Sequence, residues 1–427
     1  MAAGSNVVPL YAMLYTFSQV AVQRKYDSKT TIETLKSIIR SSSFIFFHVY
    51  NGSLVGCALR NSFGRFYFRV LVWAPAIVSS YLSLMIEKPE RRQALAFYLL
   101  NLASEIVYRM AVTKGYFKPV KRGETLVFAL SLAVWLSLLK TRGGASRDPI
   151  SVAVKMLIGR DELRSAADEQ RRRNSCLVAP SCCPHKQTSC LYYIVEPIPT
   201  RFLLGYSIQT LLKLAAKPLD LIQKPSETLK QSLTSPSSIK FGLFLASLVS
   251  SARLTGCVLR RVSNSQSQLD EKHLLGLQGA ATGFVAGLSM LLAPRSSISM
   301  YVMWKAVEQY FFARDGHKTK SHDEVPTTKR AHSNSYRSGA ICTIYAISAA
   351  TILYSFALEP RFVRPSYMKF LDRVSDHRLH QLNRLVLDVF GTGSSIGYED
   401  YFPDLHPKYM SNQFKELVFN WVIQPFE

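Results

Sequence analysis

Hydrophobic positions in this chain come in long unbroken runs, not in stripes of helical period. Met1–Gln23 contains no charged residue. Ser41–Leu59 is equally free of charge and is bounded by Arg40 and Arg60. Val70–Ile86, Thr125–Leu139, Leu274–Ala293 and Ser338–Leu358 repeat the pattern, and Gln93–Val112 and Ser296–Ala313 are apolar with a few charges. A membrane-spanning helix takes about 20 apolar residues, range about 17–25. One short run such as Thr125–Leu139 reads equally well as a buried core helix. Eight runs in one chain do not, because a soluble helical core shows one apolar and one polar face per helix. The pattern predicts an all-α, polytopic membrane protein. Met1–Gln23 has no basic residue ahead of its apolar stretch, and Arg24 and Lys25 follow it. It therefore reads as a weak hydrophobic helix that stays attached, not as a cleaved signal.

The two halves echo each other. Gly56-Cys57-Ala58-Leu59-Arg60 recurs as Gly256-Cys257-Val258-Leu259-Arg260, and Glu33-Thr34-Leu35-Lys36 recurs as Glu227-Thr228-Leu229-Lys230. Arg92, Tyr98, Ala103 and Glu105 recur as Arg295, Tyr301, Ala306 and Glu308. The expected organisation is two homologous helical bundles of about four spans each, with accessory hydrophobic helices at 1–23 and 202–212. The expected domains are a first membrane repeat (1–140), a polar linker (141–200), a second membrane repeat (201–360) and a mixed tail of short surface helices (361–427). A second polar loop is expected over 314–337. With the leading helices counted or not, ten or eight spans result.

Composition sharpens this picture only in part. The 427 residues carry 52 Lys and Arg against 29 Asp and Glu, a net charge of +23. Charged residues are 19%, below the quarter usual in soluble domains, which excludes an ordinary charged-surface enzyme. Basic residues flank the runs on both sides, so the charge gives no orientation. It suits helix ends at lipid head groups; no nucleic-acid motif with interleaved aromatics accompanies it.

Three sets of residues are candidates for chemistry. Glu105 with Arg109, and Lys305 with Glu308, are spaced to share a helix face inside apolar segments. Arg253 lies in another such segment without a partner at helical spacing. Charges at that depth face a bundle interior or a wet cavity. They line a membrane-embedded polar groove, or they are structural ion pairs; both readings stand, and Arg253 is expected to meet one of the glutamates. Gly52 and Gly56, and Gly279, Gly283 and Gly287, form G-x-x-x-G steps suited to close helix packing. Cys176, Cys182, Cys183, His185 and Cys190 cluster in the linker, where thiolates and imidazole can ligate zinc, form a disulfide, take an acyl chain or do nothing. Gly391-Thr392-Gly393 in the tail is a turn, since no βαβ unit surrounds it. No nucleophile elbow or phosphate loop is present, and no cofactor is expected beyond that zinc option.

Arg364-Pro365-Ser366-Tyr367-Met368-Lys369-Phe370-Leu371, and the stretch from Asn383 through Asp388 to Gly393, resemble the C-terminal block of the transmembrane protein 135 family, in which Met368 is often an aromatic. Cys182-Cys183-x-His185 with Cys190 is similar to that family's Cys-rich stretch. The resemblance implies a distant kinship with the four-span Tim17/Tim22/Tim23 group. It implies a non-enzymatic protein of peroxisomal and mitochondrial membranes and lipid droplets. Its implied roles are lipid handling, fat storage and mitochondrial fission balance. The implied partners are the bilayer, lipids, sterols or fatty acids, and fission machinery. A Tim17-like protein or metabolite channel is the alternative, and a thiol- or metal-dependent membrane enzyme a weaker one.

Overall fold

In the computed structural model, the apolar runs that fall within the described residues fold as helices, and no strand occurs among those residues. Those residues are 12, 28–64, 67–142, 149–159, 162–163, 189–216, 224–263, 271–312, 327–374, 384–388 and 391–396. The first half supplies α1 (Ser28–Phe63), α2 (Phe68–Leu84), α3 (Pro89–Thr113) and α4 (Gly123–Arg142). The middle supplies α5 (Pro149–Ile158), α6 (Cys190–Val195), α7 (Pro197–Ala216) and α8 (Pro225–Leu233). The second half supplies α9 (Pro236–Ser263), α10 (Glu271–Gly287), α11 (Ser296–Phe312) and α12 (Thr327–Leu358). A short 3₁₀ turn, Leu288–Leu291, extends α10. In the tail, α13 (Pro365–Val374) and α14 (Arg384–Asp388) follow.

Six of these helices are long and apolar enough to cross a membrane, within α1, α3, α4, α9, α10 with its 3₁₀ turn, and α12. At 1.5 Å per residue, the 17 residues of α2 or α11 reach about 26 Å, the lower limit for a span. Two helices outrun their apolar runs. The helix α1 begins at Ser28, well before Arg40. The helix α12 begins at Thr327, so 327–337, expected as loop, is helical. Between Thr327 and Ser338 there is no Gly or Pro to stop it.

The chain divides into two compact units. Unit 1 is Met1–Tyr116 with Pro326–Glu427, and unit 2 is Phe117–Val325. Unit 1 therefore holds α1, α2 and α3 of the first half together with α12 of the second, and α12 packs on α2 and α3. Unit 2 holds α9, α10 and α11 of the second half together with α4 of the first, and α4 packs on α10 and α11. Each unit takes three consecutive helices from one half and its fourth from the other. The repeat boundaries of the sequence and the unit boundaries of the structure are different partitions of the same chain.

Within unit 1 the helix directions follow from pairings at each end. Gly52 lies against Ser79 and Gly56 against Pro75, so α1 and α2 are antiparallel. Arg92 donates to Ser338 Oγ at 3.4 Å, and Lys114 reaches Glu359 at 3.9 Å, so α3 and α12 run parallel. Leu102, Ala103 and Ile106 of α3 form one apolar cluster with Ile352 and Phe356 of α12 and with Phe362, Val363 and Met368 of the tail. The tail helix α13 is thus part of the unit, not a detached surface helix. Unit 2 centres on Phe128, Leu132, Trp135, Leu136 and Leu139 of α4, packed with Phe244, Leu248 and Val249 of α9 and with Ala286 and Met290. Many large apolar side chains on the spans stay exposed, among them Phe46, Tyr50 and Leu54 on α1 and Leu126, Leu130 and Val134 on α4. With no water in the hydrocarbon to avoid, such faces are suited to contact with lipid.

Candidate functional site

The charges inside the spans are held by partners within their own units. In unit 1, Glu105 is 4% exposed in the middle of the α3 apolar face. Its Oε1 accepts from Arg109 Nη2 at 2.6 Å, the intrahelical pair expected from the spacing. Its Oε2 accepts from both Arg364 Nε, at 2.6 Å, and Arg364 Nη2. Arg364 stands 259 residues away, just ahead of α13, and no local pattern could have named it. A carboxylate bound by two guanidiniums is a strong, directional assembly, and burying it alone would be costly. Burial draws the Arg364 guanidinium below its ordinary value, yet a guanidinium stays charged in a protein.

The other end of unit 1 carries a second charged knot. Arg91 Nη1 donates at 3.0 Å to Glu87 Oε1 and at 3.0 Å to Ser41 Oγ, and Ser41 Oγ donates to Glu87 Oε2 at 3.3 Å. Arg92 Nε donates to the Glu87 carbonyl at 2.9 Å. This knot ties α1 to the turn between α2 and α3.

In unit 2, Lys305 Nζ lies 2.7 Å from Glu308 Oε2, again the expected intrahelical pair. Arg253 does not meet Glu105 or Glu308, contrary to expectation. Its Nε donates to the Ile158 carbonyl at 3.2 Å and its Nη1 to the Tyr193 carbonyl at 2.8 Å. The guanidinium also lies 4.3 Å from the Tyr193 ring centre and 3.8 Å from Glu196. Linker segments thus fill the hydrogen-bonding needs of a buried cation. Close by, Glu162 accepts from Arg260 and from Tyr193 Oη, the latter at 3.2 Å. A Cβ at Gly256 would stand 2.5 Å from Glu162 Oε2, so the repeated Gly-Cys-x-Leu-Arg motif makes room here for a carboxylate. Glu162 and Tyr193 were not singled out by the sequence; Arg260 was noted only as the last residue of the Gly256 repeat.

The five packing glycines divide sharply. A Cβ on Gly279 would lie 2.8 Å from the Leu136 carbonyl, one on Gly283 2.5 Å from the Leu132 carbonyl, and one on Gly287 would overlap the Ala129 backbone. Here α10 and α4 touch backbone to backbone. A Cβ on Gly52 would meet Ser79 Oγ at 3.5 Å and one on Gly56 would meet Pro75 at 3.8 Å, both ordinary contacts. Of the linker cluster, Cys176, Cys182, Cys183 and His185 lie outside the described residues, as does the leading helix over 1–23. Cys190 opens α6, and its Sγ lies 3.1 Å from Arg261 Nη2.

The tail glycines form a turn closed by its own carboxylate. Asp388 Oδ1 accepts from the backbone N–H of Ser394 and Ser395 and from Thr392 Oγ1. Gly391 and Gly393 adopt φ of +72° and +61°, the left-handed region that favours glycine. Arg384 donates to the Ala357 carbonyl at 3.1 Å and to Ser394 Oγ at 3.0 Å, tying the turn to the end of α12.

Residues 3–112 match the family model described as the N-terminal cysteine-rich region of Transmembrane protein 135, so this stretch of the chain is similar to that region. The matched stretch contains a single cysteine, Cys57, and ends before the linker cluster. No solved structure matches the chain.

Proposed function

We propose that the chain is a member of the Transmembrane protein 135 family and a non-enzymatic, multi-pass protein of peroxisomal or mitochondrial membranes that supports lipid handling, fat storage and mitochondrial fission balance. The family match over 3–112 is the observation that carries this reading. The geometry is in keeping with it. Glu105, Lys305 and Glu308 are engaged in ion pairs, and Arg253 is bonded to linker carbonyls, so these charges read as ties between elements rather than as reacting groups. Exposed apolar faces on the spans fit a protein whose main partner is the bilayer. Arg364, which grips Glu105, belongs to the tail block that resembles the same family.

Kinship with the Tim17/Tim22/Tim23 group is a second reading, favoured by the backbone-level packing of Gly279, Gly283 and Gly287 on α4. Fold likeness of that kind does not by itself fix function. The test is rescue of a cell line lacking the protein, scored for organelle of residence, lipid-droplet content and mitochondrial length. The wild-type chain restores all of them from peroxisomal or mitochondrial membranes. Residence in another membrane, or unchanged lipid droplets and mitochondria in the null line, would contradict the proposal.

A further inference from the structure

Unit 1 contains an unusual set of polar atoms. His48 Nδ1 and Asn51 Nδ2 on α1, Ser80 Oγ and Ser83 Oγ on α2, Asn101 Oδ1 on α3 and Ser348 Oγ on α12 are all buried with no hydrogen-bond partner. Buried polar atoms are almost always satisfied by protein or by ordered water. Serine hydroxyls can turn back onto their own helix, so His48, Asn51 and Asn101 carry the most weight.

These atoms lie about 6–15 Å in from one end of the unit. Ser41, Glu87 and Arg91 are bonded together at one end of the unit, and Arg92 meets Ser338 beside them. At 1.5 Å per residue, His48 lies about 10 Å from that end along α1 and Ser80 about 10 Å along α2. By the same rise Asn101 lies about 15 Å along α3 and Ser348 about 15 Å along α12. The Phe44 and Tyr345 rings meet at a tilt, centres 6.1 Å apart, one turn from His48 and Ser348, which sets the register of α1 against α12. His48 also interacts with the backbone of Ser79. Four helices thus bring unpartnered donors and acceptors to the middle of a bilayer about 30 Å thick. One turn beyond Asn101 stands Glu105 with its two arginines. Polar side chains therefore follow each other from the Glu87 knot to the Glu105 knot.

Unit 2 also has unpartnered polar atoms, but there they sit beside a direct backbone contact. Trp135 Nε1 and Thr282 Oγ1 flank the contact where the α10 and α4 backbones touch. In unit 1 the facing glycines keep ordinary van der Waals distances.

We propose that unit 1 holds a hydrated polar seam, lined by His48, Asn51, Ser80, Asn101 and Ser348, that binds water at mid-depth and lets it cross. The seam favours neutral molecules. Its ends carry fixed, paired charges, and its middle offers dipoles that cannot repay the desolvation of an ion. This inference goes beyond the organelle reading and does not rest on it.

The test uses the full-length protein in liposomes of neutral lipid, with shrinkage after an osmotic step followed by stopped-flow light scattering. Wild-type vesicles are expected to shrink several-fold faster than protein-free vesicles, without added potassium leak. Asn101→Leu should return the rate to the lipid baseline with an unchanged or lower melting temperature. Asn101→Ser, which keeps a hydrogen-bonding group in place, should retain most of the flow, and this separates a lost seam from a lost fold. Three results would overturn the seam. One is shrinkage no faster than protein-free vesicles. Another is unaltered flow in Asn101→Leu with a raised melting temperature, the mark of an empty polar defect filled by an apolar side chain. The last is a potassium conductance through the wild-type protein.

Discussion

Unit 1 and unit 2 are assembled on one plan, three consecutive helices plus a fourth from the other half, yet they are held together differently. Unit 2 brings backbones into contact through Gly279, Gly283 and Gly287 on α10. Unit 1 keeps its helices farther apart at Gly52 and Gly56 and relies on buried small residues, among them Ala76, Ser79, Cys342, Ala346 and Ala350, and on charged knots at both ends. The same letters, G-x-x-x-G, therefore mean different things in the two units. What decides is the partner surface: α4 offers Ala129 and Ala133, small enough for direct approach, whereas α2 offers Pro75 and Ser79.

The largest effect is expected where a repeat-related pair is unequal. Glu105→Gln breaks a buried carboxylate's bonds to two arginines and should cost about 3 kcal/mol, the lower end for a broken buried pair, since both guanidiniums reach solvent. Scanning fluorimetry of the purified protein in detergent would show a large drop in melting temperature. Next comes Gly283→Ala, which forces a methyl against the Leu132 carbonyl and should cost about 1–3 kcal/mol. Its counterpart in kind, Gly52→Ala, should stay within about 0.5 kcal/mol of wild type in the same assay, because the new methyl meets Ser79 at ordinary distance. Glu308→Gln removes an i, i+3 pair and should cost roughly 0.5 kcal/mol, far less than Glu105→Gln. Equal losses at Glu105 and Glu308, or at Gly52 and Gly283, would erase the distinction between the units.

Much of the helical content was legible in the sequence because hydrophobic runs are a local signal. Ser41–Leu59, Thr125–Leu139 and Ser338–Leu358 each fall inside one helix. Pairs such as Glu105 with Arg109 were legible for the same reason, since helical spacing fixes them. Arg364 was not, because its meeting with Glu105 depends on how the tail folds back across 259 positions. Arg253 was misread because its partners, the carbonyls of Ile158 and Tyr193, the Tyr193 ring and Glu196, come from linker segments far from it in sequence. The exchange of α4 and α12 between units was invisible for a deeper reason. Periodicity tells which face of a helix is apolar, but the neighbour that covers it is a matter of long-range topology. An internal repeat invites the simpler pairing within each half.

That exchange is the central claim, and thiol crosslinking tests it most directly. In a chain stripped of its native cysteines, Phe44→Cys is combined either with Tyr345→Cys on α12 or with Leu132→Cys on α4. Protease sites in the linker and in the loop between α3 and α4 then allow crosslinked fragments to be read on a gel. The account predicts that a short bifunctional thiol reagent joins 44 to 345, where the native ring centres lie 6.1 Å apart, and does not join 44 to 132. A crosslink from 44 to 132 with none to 345 would show that each half keeps its own fourth helix, and would contradict it.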